Sequence, residues 1–109
     1  MHQDVVVCGD LRAHDNVVFH GTVRVYGTVV FGQNVTVRGN LICEKEISID
    51  DNGQVLGNIF GQDTIFLGKN CRVGQRDKTK SIVGKKGVTL SPGVIMYGLI
   101  LTEGKGTVL

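Results

Sequence analysis

Residues 19–41 read FHGTVRVYGTVVFGQNVTVRGNL, and their spacing decides the fold. Gly21, Gly27 and Gly39 are separated by multiples of six, with β-branched residues filling the intervals. The count extends along the chain. Every sixth residue from Leu11 gives Leu11, Val17, Val23, Val29, Val35, Leu41, Ile47, Gly53, Ile59, Ile65 and Cys71, all apolar side chains except Gly53. A second series gives Val7, Ala13, Phe19, Val25, Phe31, Val37, Cys43, Ile49, Val55, Gly61, Leu67 and Val73, in which only Gly61 lacks a side chain. Each hexad thus carries two apolar residues at i and i+2, the spacing at which strand side chains share a face.

The residues ahead of each pair are corner residues. They include Gly9-Asp10, Asp15-Asn16, Gly21-Thr22, Gly27-Thr28, Gln33-Asn34, Gly39-Asn40, Asp51-Asn52, Gly57-Asn58 and Asp63-Thr64, with Lys45-Glu46 as an exception. Gly and Asn tolerate positive φ, and Asp, Asn and Thr oxygens bond nearby backbone. No segment shows a 3.6-residue apolar stripe, so helices are not expected. A strand that turns every six residues and always buries the same side closes into a coil. Three hexads make a triangular coil of about 18 residues, and the chain makes about six such coils. The expectation is an all-β chain, a single-domain parallel β-helix over residues 1–109. Right-handed crossovers are the strong default for parallel strands, which favours a right-handed coil.

The register breaks once. After Val73 the first inward series resumes at Ile82, Val88, Val94 and Ile100, paired with Gly84, Leu90, Met96 and Thr102. The shift equals a five-residue insertion, placed at Gln75, Arg76, Asp77, Lys78 and Thr79 and read as a polar loop at a corner.

Composition fits this reading. With 109 residues, 6% aromatics, no Trp and one proline, the core must be built from Val, Ile and Leu. A net charge of +2 points neither to nor away from nucleic acid. No apolar run approaches the roughly 18 residues of a membrane span, and no basic stretch leads into an apolar one, so no secretory signal is expected. Three widely spaced cysteines without a C-x-x-C pair fit a reduced, cytoplasmic setting.

Two solenoid types count in sixes. The left-handed hexapeptide helix of acyltransferases and γ-type carbonic anhydrases prefers one large and one small inward residue, whereas Ile47/Ile49 and Ile65/Leu67 are large in both slots. That enzyme class is the alternative reading, with a non-polymerising solenoid binding module as a third. The recurring units GDL (9–11), GTV (21–23 and 27–29), GNL (39–41) and GNI (57–59) resemble the bactofilins, polymer-forming bacterial cytoskeletal proteins. The resemblance covers residues 5 to 104. It implies a right-handed triangular β-helix that assembles end to end into nucleotide-independent filaments. It also implies no cofactor, the chain itself as partner, and an anionic membrane surface or cell-envelope protein as further partners. The proline-rich tails and short apolar N-terminal peptide common in the family have no counterpart in these residues.

A solenoid has two open ends whose strand edges invite pairing. The N-terminal candidates are Val5, Val6 and Val7. Near the C-terminus, VIMYGLIL (94–101) turns apolar in both outward and corner slots, which marks Ile95, Tyr97, Leu99 and Leu101. Leu99 stands where Asp, Asn or Thr usually stands. Ile42 and Phe60 are outward residues 18 apart, a spacing that stacks them on one face as a candidate lateral contact.

Chemistry is sparsely signalled. His2 and His20 are 18 apart, but neither they nor His14 has a ligand-spaced Cys or carboxylate, so no metal site is expected. Cys43 and Cys71 occupy inward slots and read as small core residues, while Cys8 has no motif of a nucleophile. Asp50 and Asp51 sit beside Asn52-Gly53 and read as turn chemistry. No catalytic residue is expected. Lys69, Arg72, Arg76, Lys78, Lys80, Lys85 and Lys86 form a basic cluster opposed only by Asp77. A solvated loop is the common origin of such clusters, and attraction to an anionic membrane or acidic partner is the functional alternative. Aromatic residues do not interleave it, which argues against single-stranded nucleic acid.

Overall fold

The computed structural model describes residues 3–109, an all-β chain with no helix. Among the described residues no helix is long and apolar enough to cross a membrane. The first coil holds β1 (Val5–Val7), β2 (Leu11–Ala13) and β3 (Val18–Phe19). The second holds β4 (Val23–Val25), β5 (Val29–Phe31) and β6 (Thr36–Val37), and the third β7 (Leu41–Cys43), β8 (Ile47–Ile49) and β9 (Gln54–Val55). The fourth contains β10 (Ile59–Gly61), β11 (Thr64–Leu67) and β12 (Arg72–Val73), and the fifth β13 (Lys80–Gly84), β14 (Gly87–Leu90) and β15 (Ile95–Met96). The last consists of β16 (Gly98–Leu101) and β17 (Lys105–Val108).

Every third strand pairs in parallel. The first sheet runs β1-β4-β7-β10-β13-β16, the second β2-β5-β8-β11-β14-β17 and the third β3-β6-β9-β12-β15. Register follows the sequence count: Val5 aligns with Val23, Val23 with Leu41, and Leu41 with Ile59, each step being three hexads. Ile59 then aligns with Ile82, a longer step that takes in the insertion after Val73. The inserted residues form a tight hairpin in which Gln75 and Lys78 exchange both backbone hydrogen bonds and Arg76-Asp77 make the tip. The result is a single-domain parallel β-helix of about six turns.

The core is the stack of inward columns. Val23, Val25, Val35, Val37, Ile47, Ile49, Ile65 and Leu67, each expected inside, are all buried. Gly61 and Gly84 stand one above the other in the column of Cys43, and a Cβ at Gly61 would meet Ile65 Cγ1 at 3.0 Å. The glycine makes room for the isoleucine.

Corners are held by side chains that reach the next coil. The Thr22 amide donates to Asp4 Oδ1, the Asn40 amide to Thr22 Oγ1, the Asn58 amide to Asn40 Oδ1, and the Ser81 amide to Asn58 Oδ1. This ladder satisfies backbone N–H groups that the strand ladders miss. Gly39 allows the close approach that it needs, since a Cβ there would lie 2.5 Å from the Gly21 carbonyl carbon. At another corner Asn16, Asn34, Asn52 and Asn70 all take left-handed backbone (φ 67°, 59°, 62° and 61°), and Gly93 follows them at 82°. Asn is the side-chain-bearing residue best suited to that conformation.

At the Lys45-Glu46 corner Cys43 interrupts a backbone bond: one coil earlier the Gly27 amide donates to the Gly9 carbonyl, whereas here the Cys43 thiol lies between the Lys45 amide and the Gly27 carbonyl. Its thiol reaches the Gly27 carbonyl at 2.9 Å and the Glu46 carbonyl at 3.4 Å, and its sulfur accepts from the Lys45 amide at 3.4 Å. Burial pushes the Cys43 and Cys71 thiols above their usual range, the neighbouring carboxylates adding to the effect. Both are enclosed, whereas Cys8 is exposed. A thiol-reactive dye should therefore label one of the three cysteines in native protein and all three in denaturant. Fast labelling of two or more in the native state would contradict this packing.

Candidate assembly surfaces

Backbone direction determines what each end of the coil offers. Amides of inward residues donate to the following coil, as Val23 to the Asn40 carbonyl and Leu41 to that of Asn58. Amides of outward residues donate to the preceding coil, as Thr36 to the Val17 carbonyl and Arg72 to that of Gly53. By this alternation the groups pointing past the C-terminal end belong to Met96 in the third sheet, whose last strand is β15, and to Ile100, Gly106 and Val108 in the other two, and those pointing past the first coil to Val6, Arg12 and Val18. Among the described residues no further coil lies beyond either set.

The core columns end there too. Ile100 terminates the column of Ile59 and Ile82, and Val108 the column of Leu67 and Leu90. Exposure rises from 0% at Ile82 to 38% at Ile100, and from 0% at Leu67 to 77% at Val108. At the other end Val5, Val7, Leu11, Val17 and Phe19 are only partly buried against the core.

The residues singled out in the sequence divide between these ends and the sides. Val5 and Val7 point inward on the first coil, but Val6 points outward from the first sheet. Leu101 pairs with Val83 and also faces outward from the first sheet. Ile95 faces outward from the third. Tyr97 sits half-buried at a corner, where its carbonyl accepts from the Lys80 amide. Leu99 is exposed and aligned with Ser81, so the corner ladder of side-chain oxygens ends beneath it.

The sides reveal more than the sequence did. The outward residues of the first sheet form a single column, Val6–Arg24–Ile42–Phe60–Val83–Leu101. Five of these six are apolar, and Val6, Phe60 and Leu101 are exposed. A shallow depression lined by Val83, Lys85, Leu101, Thr102 and Glu103 closes its C-terminal end. The second sheet's column, Arg12–Val30–Ser48–Phe66–Thr89–Thr107, is mixed. The third, Val18–Thr36–Gln54–Arg72–Ile95, is polar in its middle.

The basic cluster is dispersed by the winding of the chain. Lys69 lies in the turn after β11, Arg72 in β12, Arg76 and Lys78 in the hairpin, Lys80 at the start of β13, and Lys85-Lys86 in the turn after it. Lys86 pairs with Asp63 at 3.3 Å. Lys78 and Lys80 instead line a groove with Arg38 and Asp4. His14 and His20 are exposed, and His2 lies outside the described residues. Among the described residues no group of three His, Cys, Asp or Glu is placed to hold a metal ion.

Compared with known proteins, the chain matches no family model, no curated protein and no solved structure.

Proposed function

We propose that this protein is a bactofilin-like scaffold whose β-helical domain joins end to end into filaments without nucleotide. The observation that carries the reading is that, among the described residues, the core columns are uncovered at both ends: they stop at Ile100 and Val108 on the last coil and at the partly buried Val5, Val7 and Leu11 on the first, with strand-edge groups aimed along the axis. A second subunit stacked there would bury the apolar residues and pair the edge together, which isolated burial or isolated hydrogen bonding would not achieve. The role is structural rather than catalytic, and the proposed setting is the cytoplasm or the inner face of a membrane, with itself as the principal partner.

Sedimentation tests the reading. Purified protein should pellet at high speed to the same extent with and without nucleotide. Discrete trimers would instead favour the hexapeptide-repeat enzyme class. A monomer of about 11.8 kDa at all concentrations would favour a soluble binding module.

A further inference from the structure

We infer that the outer face of the first sheet is a second self-association surface, by which filaments pair side by side. The inference rests on the end-to-end reading above. Its basis is the contrast between three faces of one molecule. Parallel sheets are ordinarily covered on both sides, and here one outer face is apolar along nearly its whole length while the other two are not. The only charged residue in the column, Arg24, has its guanidinium carbon 5.5 Å from the Tyr26 ring centroid, held toward the corner. Phe60 stands at the middle, flanked by Ile42 and Val83.

Area identifies the occupant. Six strands give a stripe about 29 Å long, three residues make it about 10 Å wide, and the face offers about 300 Å² per subunit. Two such faces packed together bury about 600 Å², half of the roughly 1,200 Å² at the lower end for a stable complex. A single pair of subunits is therefore too weak to persist. The stripe reaches both terminal coils, from Val6 to Leu101, so stacking subunits in register would extend it. Two joined subunits against two others reach the required area, and each further subunit adds to it. A second copy thus fits the face as part of a polymer, whereas one globular partner confined to this stripe would be held weakly. The surface predicts bundling that begins only after filaments form.

Differential centrifugation tests this with Phe60→Lys, with Val83→Lys as a second probe of the same face, and with Val30→Lys as a control of equal charge on the second sheet. Circular dichroism verifies that each is folded. Low speed collects bundles, and high speed collects single filaments. Wild type and Val30→Lys should pellet at low speed. Phe60→Lys and Val83→Lys should move to the high-speed pellet, with the low-speed fraction falling at least about tenfold, because a lysine in the joint loses its water at every subunit. Phe60→Lys and Val83→Lys remaining in the low-speed pellet would overturn the inference. So would Val30→Lys dispersing bundles equally, or wild type forming only single filaments; these outcomes leave end-to-end joining intact. Wild type in neither pellet would overturn both readings.

Discussion

Val37→Arg should abolish the fold. Val37 has no exposed surface and stands in the third sheet's inward column between Phe19 and Val55. An arginine there must either bury its charge among aliphatic side chains or force the coil open. Burying an unpaired charge costs several kcal/mol even after relaxation, and an ordinary domain has about 5–15 kcal/mol in total. The coil lacks an alternative. Long side chains at outward slots can reach water, but an inward slot is closed by coils on both sides and by the other two sheets. Circular dichroism should show loss of the β signal and no cooperative melting. A cooperative transition within about 5 °C of wild type would show that residue 37 does not lie in a close-packed core.

Val108→Arg should do the opposite, keeping the fold while blocking assembly. In the free subunit Val108 is 77% exposed, so a charge there costs little. In an end-to-end joint the same charge would sit on top of the core column of Leu67 and Leu90 without a planned partner. A penalty of about 3 kcal/mol would weaken association by roughly two orders of magnitude. Val108→Arg should therefore remain in the supernatant at concentrations where wild type pellets, with an unchanged circular dichroism spectrum. Leu101→Arg separates the surfaces. Leu101 faces sideways from the first sheet, so this change should act mainly on bundling. Should Val108→Arg pellet like wild type, the C-terminal coil is not the joint, and the N-terminal coil around Val5, Val7 and Leu11 becomes the surface to test.

The contrast between these two substitutions reflects what the sequence could reveal. Inward slots are legible because burial imposes the same demand on every hexad, and a demand repeated at fixed period is visible without coordinates. The shift after Val73 is legible for the same reason, since both inward series resume in a new phase. The outward stripe is harder to see. Ile42 and Phe60 stand out because they are one regular coil apart, but the next member is Val83, which lies past the insertion and off that spacing. Position in the chain associates Val6 and Leu101 with the ends, although the alternation of strand side chains turns them outward.

Sequence proximity misleads in the basic cluster. A chain that turns a corner every six residues carries near neighbours to different sides, and Lys69, Lys78 and Lys86 fall in three different turns. The Lys45-Glu46 corner is visible as an exception, but its remedy is not. A thiol in an inward slot gives no sign that it will replace a coil-to-coil backbone hydrogen bond of the kind the Gly27 amide makes to the Gly9 carbonyl.

In the proposed filament, subunits stack along the coil axis. Fibre diffraction from oriented filaments measures that directly. Strands perpendicular to the filament would give a meridional spacing of about 4.8 Å, and sheets of up to six strands would give a subunit repeat of about 29 Å. A reflection of about 4.8 Å on the equator, or a subunit repeat near the width of the triangle instead of its stacked height, would show that the filament is built from the sides of the solenoid and not from its ends.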